Sequence, residues 1–406
     1  MKQQRRKKKQ LAFLEWNPTP FSFACWDGDI EEVLHLLQNE QLDVNLEDSV
    51  HGITPFSVAC QNGHIEVVKI LLNDERIDTN KAKYDGQTPL CLACSKGHIE
   101  IVKILLNDER IDVNKVNIHD RTPLYIACSK GHIEIVKLLL NDERVNVNKP
   151  NNNGRAPLYI ACSKGHLEIV KLLLNDKRVD VNSDGAKPLH IACQNKYIEI
   201  VKLLLNDGGI DVNQAYDGVT PLYAACFKGD IEIVKLLLND QKIDVNNAAV
   251  HGETPFHIAY FYKRIEVVKL LLNDKRIDLY KTDIEGETPL NVICSNGWIE
   301  IMKLVLSRER EVDLDSKNKS GKTAIETVRA TENEGKRFWE SEEQFHERKR
   351  NSPEMIEILE SYQRNPNETR TKLRIQLGYV GKNFIFLFLS FNLFFFFFKK
   401  QNNNEQ

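Results

Sequence analysis

The sequence predicts an all-α array: a solenoid of about ten helix-turn-helix units joined by β-hairpin-like finger loops. Three observations predict it. One sequence slot recurs at Cys25, Cys60, Cys94, Cys128, Cys162, Cys193, Cys226, Tyr260 and Cys294, with spacings of 35, 34, 34, 34, 31, 33, 34 and 34. A fixed period in this range marks stacked supersecondary units and overrides a domain count made from length. Each unit carries two short apolar stripes at helical spacing. The stretches between units are rich in Asn, Asp and Gly, which is turn chemistry.

Residues 122–149 illustrate the elements in order. Thr122 is placed to accept a bond from an orphan backbone N–H, and Pro123 is tolerated in a first helical turn. Leu124, Ala127 and Cys128 fall at i, i+3 and i+4 and make one apolar stripe. Gly131 ends this first helix, because glycine adopts the left-handed conformation cheaply. Ile133, Val136, Leu139 and Leu140 form the second stripe. Asn141 then stands where a left-handed cap is expected. Asn148, Pro150, Asn151, Asn152, Asn153 and Gly154 supply the loop. Two helices of about eight residues are unstable alone in water, so stability must come from stacking.

The recurring pattern G-x-T-P-L-x-x-A-x-x-x-G-H-x-x-x-V-x-x-L-L stands at Gly86–Leu106. It stands again at Asp120–Leu140, where Asp replaces the first Gly, and at Gly154–Leu174, where Ala156 replaces Thr. These residues resemble the ankyrin repeat family. The family period is about 33, and the extra residue here lies in the outer Asn-Asp-Glu-Arg loop. Ten first helices are expected to open near Pro20, Pro55, Pro89, Pro123, Pro157, Pro188, Pro221, Pro255, Pro289 and Lys322. Residues 11–330 are read as the array, with Leu11–Trp16 as its N-terminal cap. The loop between Asn182 and Gly185 is three residues short, which predicts a stunted finger. In the tenth unit a charged helical insertion, 331–351, precedes a second helix expected to start at Ser352-Pro353, with a capping helix and tail over 352–377.

Chemistry is not expected. The 55 Lys+Arg and 58 Asp+Glu give a net charge of −3, too balanced for a chain that coats nucleic acid. No phosphate loop, dinucleotide fingerprint or nucleophile elbow is present. His64, His98, His132 and His166 follow Gly once per unit. Neighbouring units lie roughly 10 Å apart, too far to share a metal bound at about 2 Å. A backbone bond at the inter-helix turn is the expected role of these histidines. Eight of the nine Cys share the slot above and are expected to be packing residues. Cys91 is expected to be the most accessible thiol. No cofactor or metal is expected.

The resemblance implies protein recognition, with partners docking on the concave face made by first helices and fingers. The outward positions expected there are Tyr84, Lys96, His119, Arg121, Tyr125, Lys130, Arg155, Tyr159, Lys164, Lys187, Tyr216, Tyr223 and Lys228. Tyr and Arg are enriched at interface hot spots, and the cations predict an acidic, extended protein partner. The alternative for the lysines is a solvated face copied by duplication. Asn114, Asn148, Asn182, Asn213 and Asn246 are expected to fold their own loops by a side-chain bond; the alternative is that their slot, which resembles a hydroxylation target in some ankyrin proteins, is modified.

The ends differ from the array. Lys2, Arg5, Arg6, Lys7, Lys8 and Lys9 lie in residues 1–10, read as a disordered tail, with nuclear targeting as the alternative. Phe384 to Phe398 contains only Ser390 and Asn392 as polar residues. As a helix it reaches roughly 22 Å, short of the ~30 Å hydrocarbon core. A membrane anchor within 378–406 and a non-functional run are both open. The expectation is a cytoplasmic, monomeric, non-catalytic protein-interaction scaffold. The rivals are a membrane-tethered adaptor and a regulatory subunit or enzyme using Trp339, Glu342, Glu343 and His346.

Overall fold

The Thr-Pro dipeptides do start helices in the computed structural model, which describes residues 19–183, 187–308 and 312–379. Thr122 Oγ1 accepts the Tyr125 N–H at 3.1 Å, and Thr88 treats Cys91 N–H alike at 3.2 Å. The chain divides into two compact units, Met1–Gln214 and Ala215–Gln406, a division the repeat pattern does not announce.

The first unit holds six helix pairs among its described residues. They are α1 Pro20–Asp27 with α2 Ile30–Leu37, α3 Pro55–Asn62 with α4 Ile65–Leu72, and α5 Pro89–Lys96 with α6 Ile99–Leu106. There follow α7 Pro123–Lys130 with α8 Ile133–Leu140, α9 Pro157–Lys164 with α10 Leu167–Asn175, and α11 Pro188–Gln194 with α12 Ile198–Asn206. First helices stack on first helices and second helices on second helices. Ala93, Cys94, Leu105, Ala127, Cys128 and Leu139 are fully buried between them. Each such leucine contributes roughly 1.5–3 kcal/mol by leaving water.

The inter-helix turn explains why glycine ends the first helix. Gly63, Gly97 and Gly131 have φ of 83°, 80° and 80°. The histidine of the following repeat also occupies the space a Cβ would need, 2.8 to 2.9 Å away. That histidine bonds to backbone, as expected, but in the preceding repeat. Nε2 of His64, His98 and His132 lies 2.8, 2.9 and 3.4 Å from the carbonyls of Trp26, Gln61 and Ser95.

The outer loops depart from expectation. Asn141 has φ −74°, so it is not a left-handed cap. Closure comes instead from Asp142, which takes a bidentate pair with Arg144. The same arginine reaches back to the Leu106 carbonyl at 2.7 Å and so caps the preceding repeat's helix. The Asn114 side chain does not serve its own loop either. Its Nδ2 donates to the Arg144 carbonyl at 2.7 Å and its Oδ1 accepts the Asn146 N–H at 2.7 Å, both one repeat on. Asn80, Asn148 and Asn182 repeat this two-bond clamp.

The fingers are not hairpins of strands. Among the described residues there is no strand, only an isolated bridge between Tyr216 and Val219. The described fingers are too short for a ladder. In the finger at 117–121, Asn117 N–H to the Arg121 carbonyl and Asp120 N–H to the Asn117 carbonyl close it, and Ile118 N–H to the Asp85 carbonyl joins it to its predecessor.

The second unit begins with three further pairs: α13 Pro221–Lys228 with α14 Ile231–Leu238, α15 Pro255–Phe261 with α16 Ile265–Asn273, and α17 Pro289–Ser295 with α18 Ile299–Leu306. The expected tenth repeat is not another copy, which leaves about eight or nine repeats. Its first helix, α19 Ala324–Asn333, stacks on α17. The partner is one long helix, α20 Glu342–Arg364, followed by α21 Pro366–Gln376. Ser352-Pro353 is therefore not a helix start. The start lies at Ser341, whose hydroxyl and Gln344 form a reciprocal capping box. Pro353 sits inside α20 on an exposed face, and Ser352 Oγ donates to the Arg348 carbonyl at 2.8 Å. Met355, Leu359 and Tyr362 on the same helix are buried. The segment before α20 is held by Arg348, which is fully buried. It donates twice to Glu340 at 2.8 Å, and to the Thr331 carbonyl at 2.7 Å. Arg348 holds the Glu340 carboxyl down to about 2.

Leu11–Trp16, the basic N-terminus, residues 184–186 of the short finger and the Phe-rich segment lie outside the described residues. Among those described, no helix is long and apolar enough to cross a membrane.

Candidate functional site

The exposed lysines at the ends of first helices lack ion-pair partners among the described residues. Lys96, Lys130 and Lys164 are the last residues of α5, α7 and α9 and are all exposed. The glycine that follows each turns the chain away. None has a carboxylate within ion-pair distance among the described residues. Several lysines of the second helices behave differently, although Lys103 of α6 is exposed and has no such pair among the described residues. Lys69, Lys137 and Lys171 pair with Glu66, Glu134 and Glu168 at 2.8, 2.7 and 2.6 Å. Because α5, α7 and α9 stack in turn, the three unpaired ammonium groups recur one repeat apart.

The fingers contribute Tyr84, His119, Arg121 and Arg155. Tyr84 is exposed and lies over Gly52, its ring 2.3 Å from where a Cβ would stand. His119 and Arg121 are exposed and Arg155 is half-buried. Tyr125 and Tyr159 are not outward-facing: they retain only 4% and 6% of their exposure. Their slot lies between neighbouring first helices, so each ring is covered. The Arg121 guanidinium sits 5.9 Å from the Tyr125 ring centre and that of Arg155 5.2 Å from Tyr159. The Tyr125 hydroxyl accepts from Asn151 Nδ2 at 3.2 Å, and burial raises its pKa. Lys187 is half-buried at the start of α11 in a left-handed conformation, φ 33°. In the second unit Tyr216, Tyr223 and Lys228 are half-buried. Burial pushes the Tyr223 hydroxyl up to about 12. Lys228 Nζ lies 5.4 Å from the Phe227 ring centre.

All nine cysteines are free thiols and buried, Cys91 included. Cys91 has no exposure, and its Sγ lies 3.8 Å from the Lys115 carbonyl. It shares the covered slot of Tyr125, so the accessibility expected of it is wrong, and burial pushes its thiol up. Among the described residues no three His, Cys, Asp or Glu side chains gather as metal ligands. Near the insertion, Glu342 pairs with Lys336 at 2.6 Å and lies 3.9 Å from His346; Glu343 and Trp339 are exposed.

Sequence reasoning passed over Phe261 and Tyr262, which are 59% and 43% exposed. The signal was present: they replace the Ser-Lys dipeptide that ends the first helix in repeats three to five.

A sequence model of ankyrin repeats (three copies) matches residues 21–117, 75–150, 124–216 and 189–283. No curated protein matches the chain.

Proposed function

The chain belongs to the ankyrin repeat family, and on that premise we propose that it is a non-catalytic adaptor that holds an acidic, extended protein segment along first helices and fingers. Ankyrin repeats are in general protein–protein interaction modules. The observation that carries the acidic choice is the contrast between lysines. Lys137 and Lys171 of the second helices are neutralised within their own turn, whereas Lys96, Lys130 and Lys164 are left open. His119 and Arg121 add exposed donors in the finger at the other end of the first helices, and Arg155 adds a guanidinium over the Tyr159 ring.

Complementary charge sets register and association rate, and its effect weakens with salt. The test uses a labelled Asp/Glu-rich peptide and fluorescence anisotropy. Replacing Lys96, Lys130 and Lys164 together by Glu should weaken binding by about tenfold or more at low salt. Replacing the paired Lys137 and Lys171 should change it little. Equal loss from both sets would show that only overall charge matters and would remove the site.

A further inference from the structure

Repeat eight departs from its siblings at five consecutive positions. Repeats three to five read Cys-Ser-Lys-Gly-His at this point, whereas repeat eight reads Tyr260-Phe261-Tyr262-Lys263-Arg264. The departure is unfavourable for folding. Lys263 stands where glycine is usual and still adopts φ 51°, a conformation that a Cβ opposes. Lys196 of repeat six takes the same turn at φ 62°, so the turn alone marks nothing; what sets repeat eight apart is the aromatic pair before it.

The substitutions build a strip of rings across three repeats of the second unit. Phe227 and Tyr262 meet edge-to-face, with centroids 4.7 Å apart at 82°. Tyr262 and Phe261 are 5.5 Å apart, and Phe261 meets Trp298 at 6.2 Å and 88°. The core is already closed beneath them, because Phe256 and Tyr260 are buried. Phe261 and Tyr262 therefore stay wet without filling any gap, and clustered exposed aromatic surface marks an interaction site.

The rim of this strip is basic. Lys228 lies over Phe227 and has no carboxylate partner among the described residues. Arg264 is exposed, and its Nε donates to the Phe227 carbonyl at 3.2 Å. Lys263 pairs with Glu347 of α20 at 2.9 Å. We propose that this strip docks a partner segment in which one bulky apolar side chain is flanked by carboxylates. The apolar group lies against Phe261, Tyr262 and Trp298, and the carboxylates meet Lys228 and Arg264. A peptide fits better than a bilayer, because Phe227 and Trp298 are half-buried and only Phe261 and Tyr262 stand clear. The proposal stands on the second unit alone and does not need the lysine row of the first.

The test is selection of a random dodecapeptide display library on the full chain, followed by calorimetry of the enriched peptides. Enrichment of peptides joining Phe, Trp or Leu to at least two acidic residues is expected. Their affinity should fall about tenfold or more in Phe261→Ala/Tyr262→Ala and in Lys228→Glu/Arg264→Glu. It should hold within about twofold in the Lys96, Lys130, Lys164→Glu chain, which separates this site from the lysine row. Phe261→Ser, which restores the residue of repeats three to five, serves if the double variant melts early. No enrichment, enrichment without acidic residues, or affinity untouched by the aromatic variants would overturn the proposal. Binding to phosphatidylserine vesicles that needs Phe261, with no peptide enriched, would overturn it in favour of a membrane surface.

Discussion

Repeats four and six have the same core and different rims. In repeat four, Ile135, Val136 and Leu139 are buried; in repeat six, Ile200, Val201 and Leu204 take their places, equally buried. The polar devices differ. Repeat four has Thr122 as a helix cap, Gly131 in the left-handed turn and Arg144 bonded to the preceding helix. Repeat six starts its first helix at Lys187 with no side-chain cap. It turns through Lys196 at φ 62°, and Gly209 stands where arginine is usual. Of the two clamps that tie neighbouring outer loops, only the asparagine remains there: Asn182 meets the Gly209 carbonyl and the Asp211 N–H, both at 2.7 Å. Apolar burial makes each repeat, and the polar rim sets how firmly a repeat holds its neighbour. Repeat six is also the last of the first unit, next to the division at Gln214.

The largest effect should be indifferent to this contrast. Leu139→Ala and Leu204→Ala each remove a fully buried side chain and should each cost about 2–5 kcal/mol. Urea denaturation followed by circular dichroism reads both. If Leu204→Ala were nearly silent while Leu139→Ala was severe, the shared core would not be the common stabiliser.

Removing the asparagine clamp should bring the contrast out. Asn114→Ala leaves the Arg144 bond to Leu106 in place, whereas Asn182→Ala leaves no side-chain clamp of this pair at the fifth-to-sixth boundary. The first should cost about 1 kcal/mol and the second up to about 2, since more ordering is lost with it. Amide exchange resolved by repeat would also show opening confined to repeat six in Asn182→Ala. Equal costs and equal exchange would mean that the arginine bond adds nothing.

The smallest effect is on pH. The hydrogen bond from Arg144 lowers the Asp142 carboxyl below its ordinary 3.8, and Asp108 and Asp176 are lowered likewise by their arginines. A lowered carboxyl pKa adds stability that is present above the ordinary value and lost as pH falls below it towards the folded value. Repeat six has no such pair in its Asp207-Gly208-Gly209 loop. Exchange protection should therefore differ most between repeats four and six near neutrality and converge below pH of about 3.8. The change is small, because these pairs are partly exposed to water. A contrast independent of pH would assign it to the asparagines and backbone alone.

Helix positions were legible because their causes are local. Thr-Pro, the terminal glycine and the apolar spacing act within one turn, so the sequence placed first helices at Pro89, Pro123 and Pro157 where they occur. The histidine bonds were legible only as far as the turn they sit in; that the carbonyl belongs to the preceding repeat, 37 or 38 residues back, was not. Of the candidate binding residues, Lys96, Lys130 and Lys164 were legible as last-turn cations. Tyr125 and Tyr159 were misread, because whether a first-helix side chain faces solvent depends on how closely the next repeat approaches. Cys91 was misread in the same way. The asparagines were read as local because a side chain does not reveal in sequence that its partner lies 30 and 32 residues on.

By itself the sequence determined the repeat, its two short helices and the absence of any self-sufficient unit, since period and apolar spacing are properties of the chain. Tertiary structure decided which polar groups bind neighbouring repeats. It also decided that Glu342–Arg364 runs as one helix through Pro353, with Arg348 buried against Glu340. These outcomes depend on distances between residues far apart in the chain, and burial fixes those distances only after the repeats have stacked.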